Sequence, residues 1–594
     1  MSFSLLSYFT LGLLLALGAT TASTDVDWWE SATLYHIYPR SFMDSDGDGV
    51  GDLNGITSRL EFLKELGVTA TWLSPIFESP MADMGYDVAN FTKIDPLFGT
   101  MEDFDAMLAK GHKLGLKIIL DFVPNHSSDE CEWFQKSIRR EDGYDDFYIW
   151  QDGKIDPETG NRTEPNNWSS VFQGSAWTWV EERQQYYLHQ FLAKQPDFNY
   201  RNPEVRQTML DVMKFWLDRG VDAFRIDAAP FFVEKMLEDG TYPDEPESEG
   251  GSPGQGGQGG TQGPEDPEGP EGQDGPGGQG GGQSLRTYTT NQPENAELIY
   301  EWRAFLDEYQ SLHGGETRAQ IIEAYTEVEY LSEYITNGTH IGGQLPMNFN
   351  FVRLENTATA TDIKQAADEW MDVMWTRHKV ANWDASNHDN SRLATRMGSQ
   401  RVDTMTMIMH SLPGTSITYY GEEIGMPDGP IDCPRASDTC NFRDPERTPM
   451  QWDTSKNAGF STGNSTWLPV NPGYKSLNVQ VQRGVARSSL QITKGMIALK
   501  KTAAFKAFKE DGGFSYAAVS EQVFQVVRTA VGREEYRVLA NLGNQIESCE
   551  GLTNKTMEYV LLNSYSPHRY GDKVDLSKRI VLMPYEGVVL RWSA

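Results

Sequence analysis

The segment G-V-D-A-F-R-I-D sets Arg225 and Asp227 two residues apart in a strand-like run, so both emerge on one face while Phe224 and Ile226 take the other. A carboxylate beside a fixed guanidinium stays ionised, which suits a nucleophile. The run A-Q-I-I-E-A-Y-T places Glu323 after two isoleucines, where a carboxyl is poorly solvated. Poor solvation raises a carboxyl pKa, as a general acid working near neutrality requires. S-N-H-D-N-S-R then supplies His388, Asp389 and Arg392 after another strand-like run. Three carboxylates thus arrive at three strand ends.

Side chains on separate strands can meet if the strands close around a common mouth. Candidate strands fall at 34–38, 70–73, 117–122, 221–226, 320–323, 344–351, 380–383 and 416–420, with helix-like segments between them. Eight βα units predict a (β/α)8 TIM barrel, whose chemistry sits at the carboxyl ends of its strands. Ile56, Leu60, Leu63 and Leu66 share one helical face, as do Val205, Met209, Val212 and Trp216 after Asn202-Pro203.

Residues 127–202 are too many for an ordinary βα loop and are rich in Trp and Tyr, so a small inserted domain is expected after the third strand. The barrel then comprises 23–126 and 203–504. A helix-like stretch at 488–503 precedes short alternating segments, which predict a C-terminal antiparallel β-domain over 505–594. Residues 250–283 hold 16 Gly with Pro and Gln and no Lys or Arg. Such a tract cannot offset its ordering entropy by burial and is expected to be a disordered excursion from the loop after the fourth strand.

Over 594 residues, 85 Asp and Glu outnumber 51 Lys and Arg, giving a net charge of −34 that repels nucleic acid and anionic lipid. A neutral or cationic small molecule is the better partner. The 39% hydrophobic content supports a large core and excludes collagen and global disorder, and no polytopic membrane pattern is present. Residues 1–22 combine an apolar run at 11–17 with small residues after it, the pattern of a secretory signal peptide, although no Lys or Arg precedes the run. The expected mature protein is extracellular, with no transmembrane anchor; its oligomeric state is left open.

Sequons at Asn90, Asn161, Asn167, Asn337, Asn464 and Asn554 fit export, and the one at Asn125 is expected to be buried. In an oxidising compartment Cys433 and Cys440 lie close enough in a Pro- and Asp-rich loop to form a disulfide, leaving Cys131 and Cys549 free.

The loop D-S-D-G-D-G-V-G-D offers oxygens from Asp44, Asp46, Asp48, the Val50 carbonyl and Asp52, an alternation by which a short loop wraps a hard cation, with Ca²⁺ the natural occupant. Gly55 stands where an EF-hand would carry its bidentate Glu, which argues against a calcium sensor.

Taken in order, D-F-V-P-N-H, G-V-D-A-F-R-I-D, I-I-E-A-Y and N-H-D resemble the conserved blocks of the α-amylase family, glycoside hydrolase family thirteen. The α-glucosidase and oligo-1,6-glucosidase branch is the nearer likeness, through S-F-M-D-S-D-G-D-G-V-G-D-L-N-G-I, Q-P-D-F-N, G-E-E-I-G-M and R-D-P-E-R-T-P-M-Q-W. Within it the chain resembles insect secreted maltases from about Trp28 onward, apart from the glycine-rich tract.

The resemblance implies Asp227 as nucleophile, Glu323 as acid/base and Asp389 as the carboxylate that holds sugar hydroxyls. It further implies Tyr86, Asp87, His126, Phe172, Arg225, His388 and Arg447 as walls of a terminal-glucose pocket, a structural Ca²⁺ and no organic cofactor. A retaining mechanism would need two carboxylates ~5–5.5 Å apart. Ala228, after the nucleophile, replaces the Val that the family uses for α-1,6 preference, which implies maltose-type and sucrose substrates. Two alternatives stay open: a non-catalytic, transporter-associated relative of the family, and a transglycosylase or sucrose isomerase using the same covalent intermediate.

Overall fold

A computed structural model describes residues 27–246, 286–376, 380–433, 441–506, 512–530 and 532–594. The leader 1–22, the glycine-rich tract 250–283 and Cys440 lie outside the described residues.

Eight parallel strands form one sheet: β1 (Thr33–Ile37), β2 (Ala70–Leu73), β3 (Lys117–Phe122), β4 (Ala223–Ile226), β5 (Ala319–Ile322), β6 (Leu345–Pro346), β7 (Asn382–Asp384) and β8 (Thr415–Tyr419). Their order is β6-β5-β4-β3-β2-β1-β8-β7, a TIM barrel. Between β6 and β7 the joint is made through side chains. Asn382 accepts from the Asn348 N–H at 3.0 Å and donates to the Pro346 carbonyl at 2.5 Å, and the Asn348 amide donates to the Asn382 carbonyl at 3.1 Å. Pro346 has no N–H to extend a ladder, so the paired part of β6 is two residues long and far shorter than the expected 344–351.

Alternation along the strands sorts the core into two shells. Leu34, Ala70, Trp72, Ile119, Ala223, Ile321, Leu345 and Ile417 fill the barrel interior. Ile118, Leu120, Phe122, Phe224, Ile226 and Ile322 pack outward against the helices. The register pairs Arg225 with Asp121 on one side and Ile321 on the other, so the inward rows of β3, β4 and β5 run together toward the mouth.

The helices start and stop on local signals. Between β2 and β3, α2 (Met101–Leu114) opens on a reciprocal Thr100–Asp103 cap, and α3 (Pro203–Arg219) opens on the Asn202 side chain with Pro at its first turn. Earlier in the chain, α1 (Leu53–Leu66) opens on Asp52. Gly115 (φ 77°) and Gly220 (φ 105°) end α2 and α3 in the left-handed region, where glycine turns the chain back into the next strand without a Cβ clash.

The excursion after β3 contains a short helix, Glu132–Ile138, and a three-stranded antiparallel sheet of Trp150–Gln151, Gln185–Leu188 and Trp177–Val180. After α4 (Pro293–His313), α5 (Val328–Ile335), α6 (Ala360–Thr376), α7 (Val402–Ser411) and α8 (Ser489–Leu499), the chain ends in a six-stranded antiparallel sheet from Gly512 to Ser593. Among the described residues no helix is long and apolar enough to cross a membrane.

The flanks of the glycine-rich tract are tied together. The Glu245 carboxylate accepts the backbone N–H groups of Thr287, Tyr288 and Thr289 at 2.9, 2.8 and 3.1 Å. On its other side, the Glu245 N–H donates to Asn167 Oδ1 at 2.7 Å. The sequon residue Asn167 is thereby a brace between the inserted domain and the β4 loop.

Candidate active site

Asp227 and Glu323 stand one residue beyond β4 and β5, yet the ladder still holds their backbones: the Asp227 N–H donates to Phe122 O and the Glu323 N–H to Ile226 O, both at 2.9 Å. Both side chains therefore inherit the inward direction of Arg225 and Ile321. The Arg225 guanidinium joins them. Its Nη1 contacts Asp227 Oδ1 and donates to Asp121 Oδ1 at 2.9 Å, and its Nη2 lies 3.7 Å from Glu323 Oε2. Below this layer, Arg225 sits over the Trp72 ring at 4.9 Å, and Trp72 stacks on His36 at 3.6 Å.

Ala228 takes φ 52°, an uncommon conformation for a residue with a Cβ, and its N–H donates to Glu323 Oε2 at 2.7 Å. That turn fixes one oxygen of Glu323. Oε1 of Glu323 and Oδ2 of Asp227 have no protein partner among the described residues. Each of the two residues retains 8% of its surface, enough for contact with a ligand in the pocket.

Burial pushes the proton affinity of both carboxyls upward, with Arg225 pulling against it. Three carboxyls, Asp121, Asp227 and Glu323, crowd one guanidinium, so retention of a proton among them relieves repulsion. Arg225 bonds Asp227 and Asp121 directly and only approaches Glu323. Burial raises Asp227 more strongly than Glu323, but the direct guanidinium contact favours charge on Asp227 and leaves the proton to Glu323.

Asp389 behaves oppositely. Burial opposes its charge, but Arg443 and Arg447 donate to its Oδ1 at 3.0 and 2.9 Å and hold the carboxyl below the usual range. His388 stacks on Tyr86 with parallel rings 5.4 Å apart, and its Nε2 meets the Tyr86 hydroxyl at 2.7 Å. Burial, then Arg447 and Arg225, keep the His388 imidazole neutral, and burial lowers His126 to about 4.

The pocket is lined by Asp227, Glu323, Asp389, Tyr86, His126, Phe172 and His388, together with residues the sequence did not single out: Asp83, Gln195, Phe191, Phe231, Tyr325 and Arg443. Arg225 and Arg447, expected as walls, do not line the pocket and act on it through the carboxylates they hold, Asp227 and Asp389. Asp87 departs from the expectation of a wall: its carboxylate turns into its own loop, accepting from Ser79, Ala82 and Asp83 at 3.0, 2.8 and 2.9 Å. It shapes the loop that carries Asp83 and Tyr86. Arg443 reaches from Asp389 to Asp83 at 2.5 Å and lies 5.4 Å from the Phe172 ring, joining three separate loops on one side of the pocket.

In the N-terminal loop, carboxylate oxygens of Asp44, Asp46 and Asp48 lie within 4.8 Å of one another. Asp52 stands outside that cluster, its oxygens bonded to Ser45 and to the Gly55 N–H at the start of α1. Among the described residues no Lys or Arg pairs with these carboxylates, a donor set that fits a hard cation. The loop also leans on residues 460–467: Asp44 N–H donates to Phe460 O, and Trp467 N–H to Gly49 O, both at 3.0 Å.

A second oxygen cluster lies at the seam of the inserted domain. Asn125 donates to Asp197 at 3.1 Å, and Gln190 bonds both Asp197 and Glu234, at 2.9 and 3.2 Å. Burial raises Asp197 strongly and Glu234 to about 7, while Asn125 Oδ1 and Glu234 Oε2 remain buried without a partner among the described residues. Such a set suits a shared proton or a hard cation. Asn125 is buried, as expected of this sequon. Cys131 and Cys549 are free and buried.

A barrel with acids at the ends of β4, β5 and β7 defines a class of glycoside-cleaving folds, and residues 36–510 match the α-amylase catalytic domain. This chain belongs to the α-amylase family. It is 56% identical over 585 residues to Maltase A2 of Drosophila melanogaster, covering 98% of this chain and 99% of that one. The salivary alpha-glucosidase of Aedes aegypti is 43% identical over 491 residues, covering 81% and 80%. Among solved structures, the alpha-glucosyl transfer enzyme XgtA aligns with a TM-score of 0.77 at 31% identity, over 96% of this chain and all of that one.

Proposed function

We propose that this chain is a secreted α-glucosidase of maltase type, releasing terminal α-1,4-linked glucose from maltose, short maltooligosaccharides and sucrose with retention at the anomeric carbon. The observation that carries this reading is the sharing of one guanidinium, Arg225, by two carboxyls that each keep one oxygen open to the pocket. Asp227 Oδ2 attacks the anomeric carbon as Glu323 Oε1 delivers its proton to the departing glycosidic oxygen. Glu323, now ionised, takes a proton from water, which attacks the same carbon and returns Asp227 to its free form.

Asp389 remains ionised throughout and accepts from sugar hydroxyls. Arg443 and Asp83 bound the pocket wall beyond it, which favours a single terminal residue over the middle of a chain. The names maltase and salivary alpha-glucosidase among the relatives support the substrate class and export. Ala228, standing where the family uses Val for α-1,6 preference, supports the α-1,4 preference. The Cys433–Cys440 disulfide belongs to the same reading of an exported chain.

A glucosyl-transfer outcome from the same intermediate is the second reading, favoured by the likeness to XgtA. Incubation with maltose and with sucrose separates the two: free glucose in proportion to bonds broken supports hydrolysis, and new disaccharides support transfer. Glu323→Gln is expected to lower kcat ~10²–10⁴-fold, and Asp227→Asn to silence turnover. Activity persisting in Asp227→Asn would remove the mechanism. We further propose that Asp44, Asp46 and Asp48 hold a structural Ca²⁺ that ties the β1 loop to residues 460–467; chelation is then expected to lower Tm without altering KM.

A further inference from the structure

We infer that the seam between the barrel and the C-terminal domain carries a second saccharide-binding site, apart from the catalytic pocket. A cleft of about 520 Å³ opens there, within the range of small-molecule sites. Gln400 and Arg401, in the turn before α7, line the barrel side. Gln522, Asn544 and Gln545, in turns of the antiparallel sheet, line the other, and Tyr585 completes the cleft.

The lining selects the ligand chemistry. Amides present a donor and an acceptor side by side, matching the paired donors and acceptors of neighbouring sugar hydroxyls. Arg401 is the cation of this lining and Glu547 its anion, so the cleft has no net charge to select an ionic ligand. Arg401 also donates Nη1 to the Ala358 carbonyl at 2.9 Å. An anionic ligand would in addition meet the field of a chain at −34.

Two features show groups held for something outside the protein. Gln522 Oε1 is buried without a partner among the described residues, an acceptor awaiting a donor. Tyr585 sits at φ 58°, a conformation costly for an aromatic residue, with its N–H fixed on Gly543 O at 3.1 Å and its carbonyl accepting from Asn563 at 2.8 Å. Backbone bonds on both sides hold an aromatic ring beside the amides, and aromatic faces and amides together are what a neutral oligosaccharide needs.

The test is calorimetric titration of full-length Asp227→Asn protein with maltotetraose. Two binding events are expected, and Gln400→Ala with Asn544→Ala, both exposed and one from each wall, should abolish one of them with Tm unchanged. Gln522→Ala should weaken the same event at least tenfold. In the otherwise wild-type chain these substitutions should leave maltose turnover within twofold. A single binding event, or two that survive the double substitution, overturns the site. Residual glucose release by Asp227→Asn would instead count against the catalytic reading and leaves the binding stoichiometry to be read with maltotetraose in the Glu323→Gln background.

Discussion

At the scale of single residues, the three acids receive opposite electrostatic treatment, on which the proposed division of labour rests. Asp389 is held by two guanidiniums, Asp227 contacts Arg225 directly, and Glu323 has burial, one N–H and only the longer approach of Arg225 at 3.7 Å. Arg443→Ala tests this assignment. Loss of one of two cations on Asp389 should raise its pKa, so the acid limb of kcat/KM should move to higher pH. A hydrogen bond to a charged group contributes ~1.5–3 kcal/mol, so KM should rise by roughly one to two orders of magnitude. An unmoved acid limb would assign Asp389 elsewhere. The directions of Arg225, Asp227 and Glu323 were legible because strand alternation dictates them, whereas Asp389, beyond Asn382–Asp384, was reached through the N-H-D likeness. Asp83 and Arg443 were not: their ion pair spans 360 positions and joins two loops, where no periodicity fixes direction. The one available signal was a second arginine four residues before Arg447 in R-D-P-E-R.

At the scale of elements, the β4 loop shows how an enzyme of this shape accommodates extra chain. Glu245 closes the base on the backbone of 287–289 before the glycine-rich insertion can act on β4. Closure entropy grows only logarithmically with length, ~0.6 kcal/mol per doubling. Deleting 252–281 should therefore leave Tm within a few degrees, whereas Glu245→Ala should cost ~1–3 kcal/mol by denaturant unfolding. A deletion costing more than the point substitution would show that the insertion packs on the barrel. The number and order of barrel strands could be read from composition and period. The length of β6 could not, because 344–351 (Q-L-P-M-N-F-N-F) keeps a strand-like alternation of apolar and polar residues to its end, and alternation does not say where pairing stops.

Across the whole molecule, buried acids couple stability to pH. Burial raises Glu422 and Glu423, which follow β8, to about 7 each. A carboxyl whose folded pKa lies above its unfolded value near 4.5 contributes stability below that value and loses it as pH rises through 7. Neutral buried imidazoles at His126 and His410, near 4 and 3, act in the reverse sense over more acid pH, so wild-type melting alone mixes the two. Glu423→Gln isolates one group: the variant should melt close to wild type at pH 5, where both side chains are neutral, and above it at pH 8, where only wild type buries the charge. A constant gap would refute the coupling.

The ring of strands also settles how the protein meets its neighbours. A closed barrel has no free strand margin, and the single joint not made by paired backbones is already filled by the Asn382 amide. In the terminal sheet the open margins are Gly512–Ala518 and Lys573–Asp575. The first is roofed by α6 through the Tyr516–Asp368 hydrogen bond at 2.9 Å, and the second is three residues long with a charge at each end. Neither border of that sheet therefore invites annexation by a second chain.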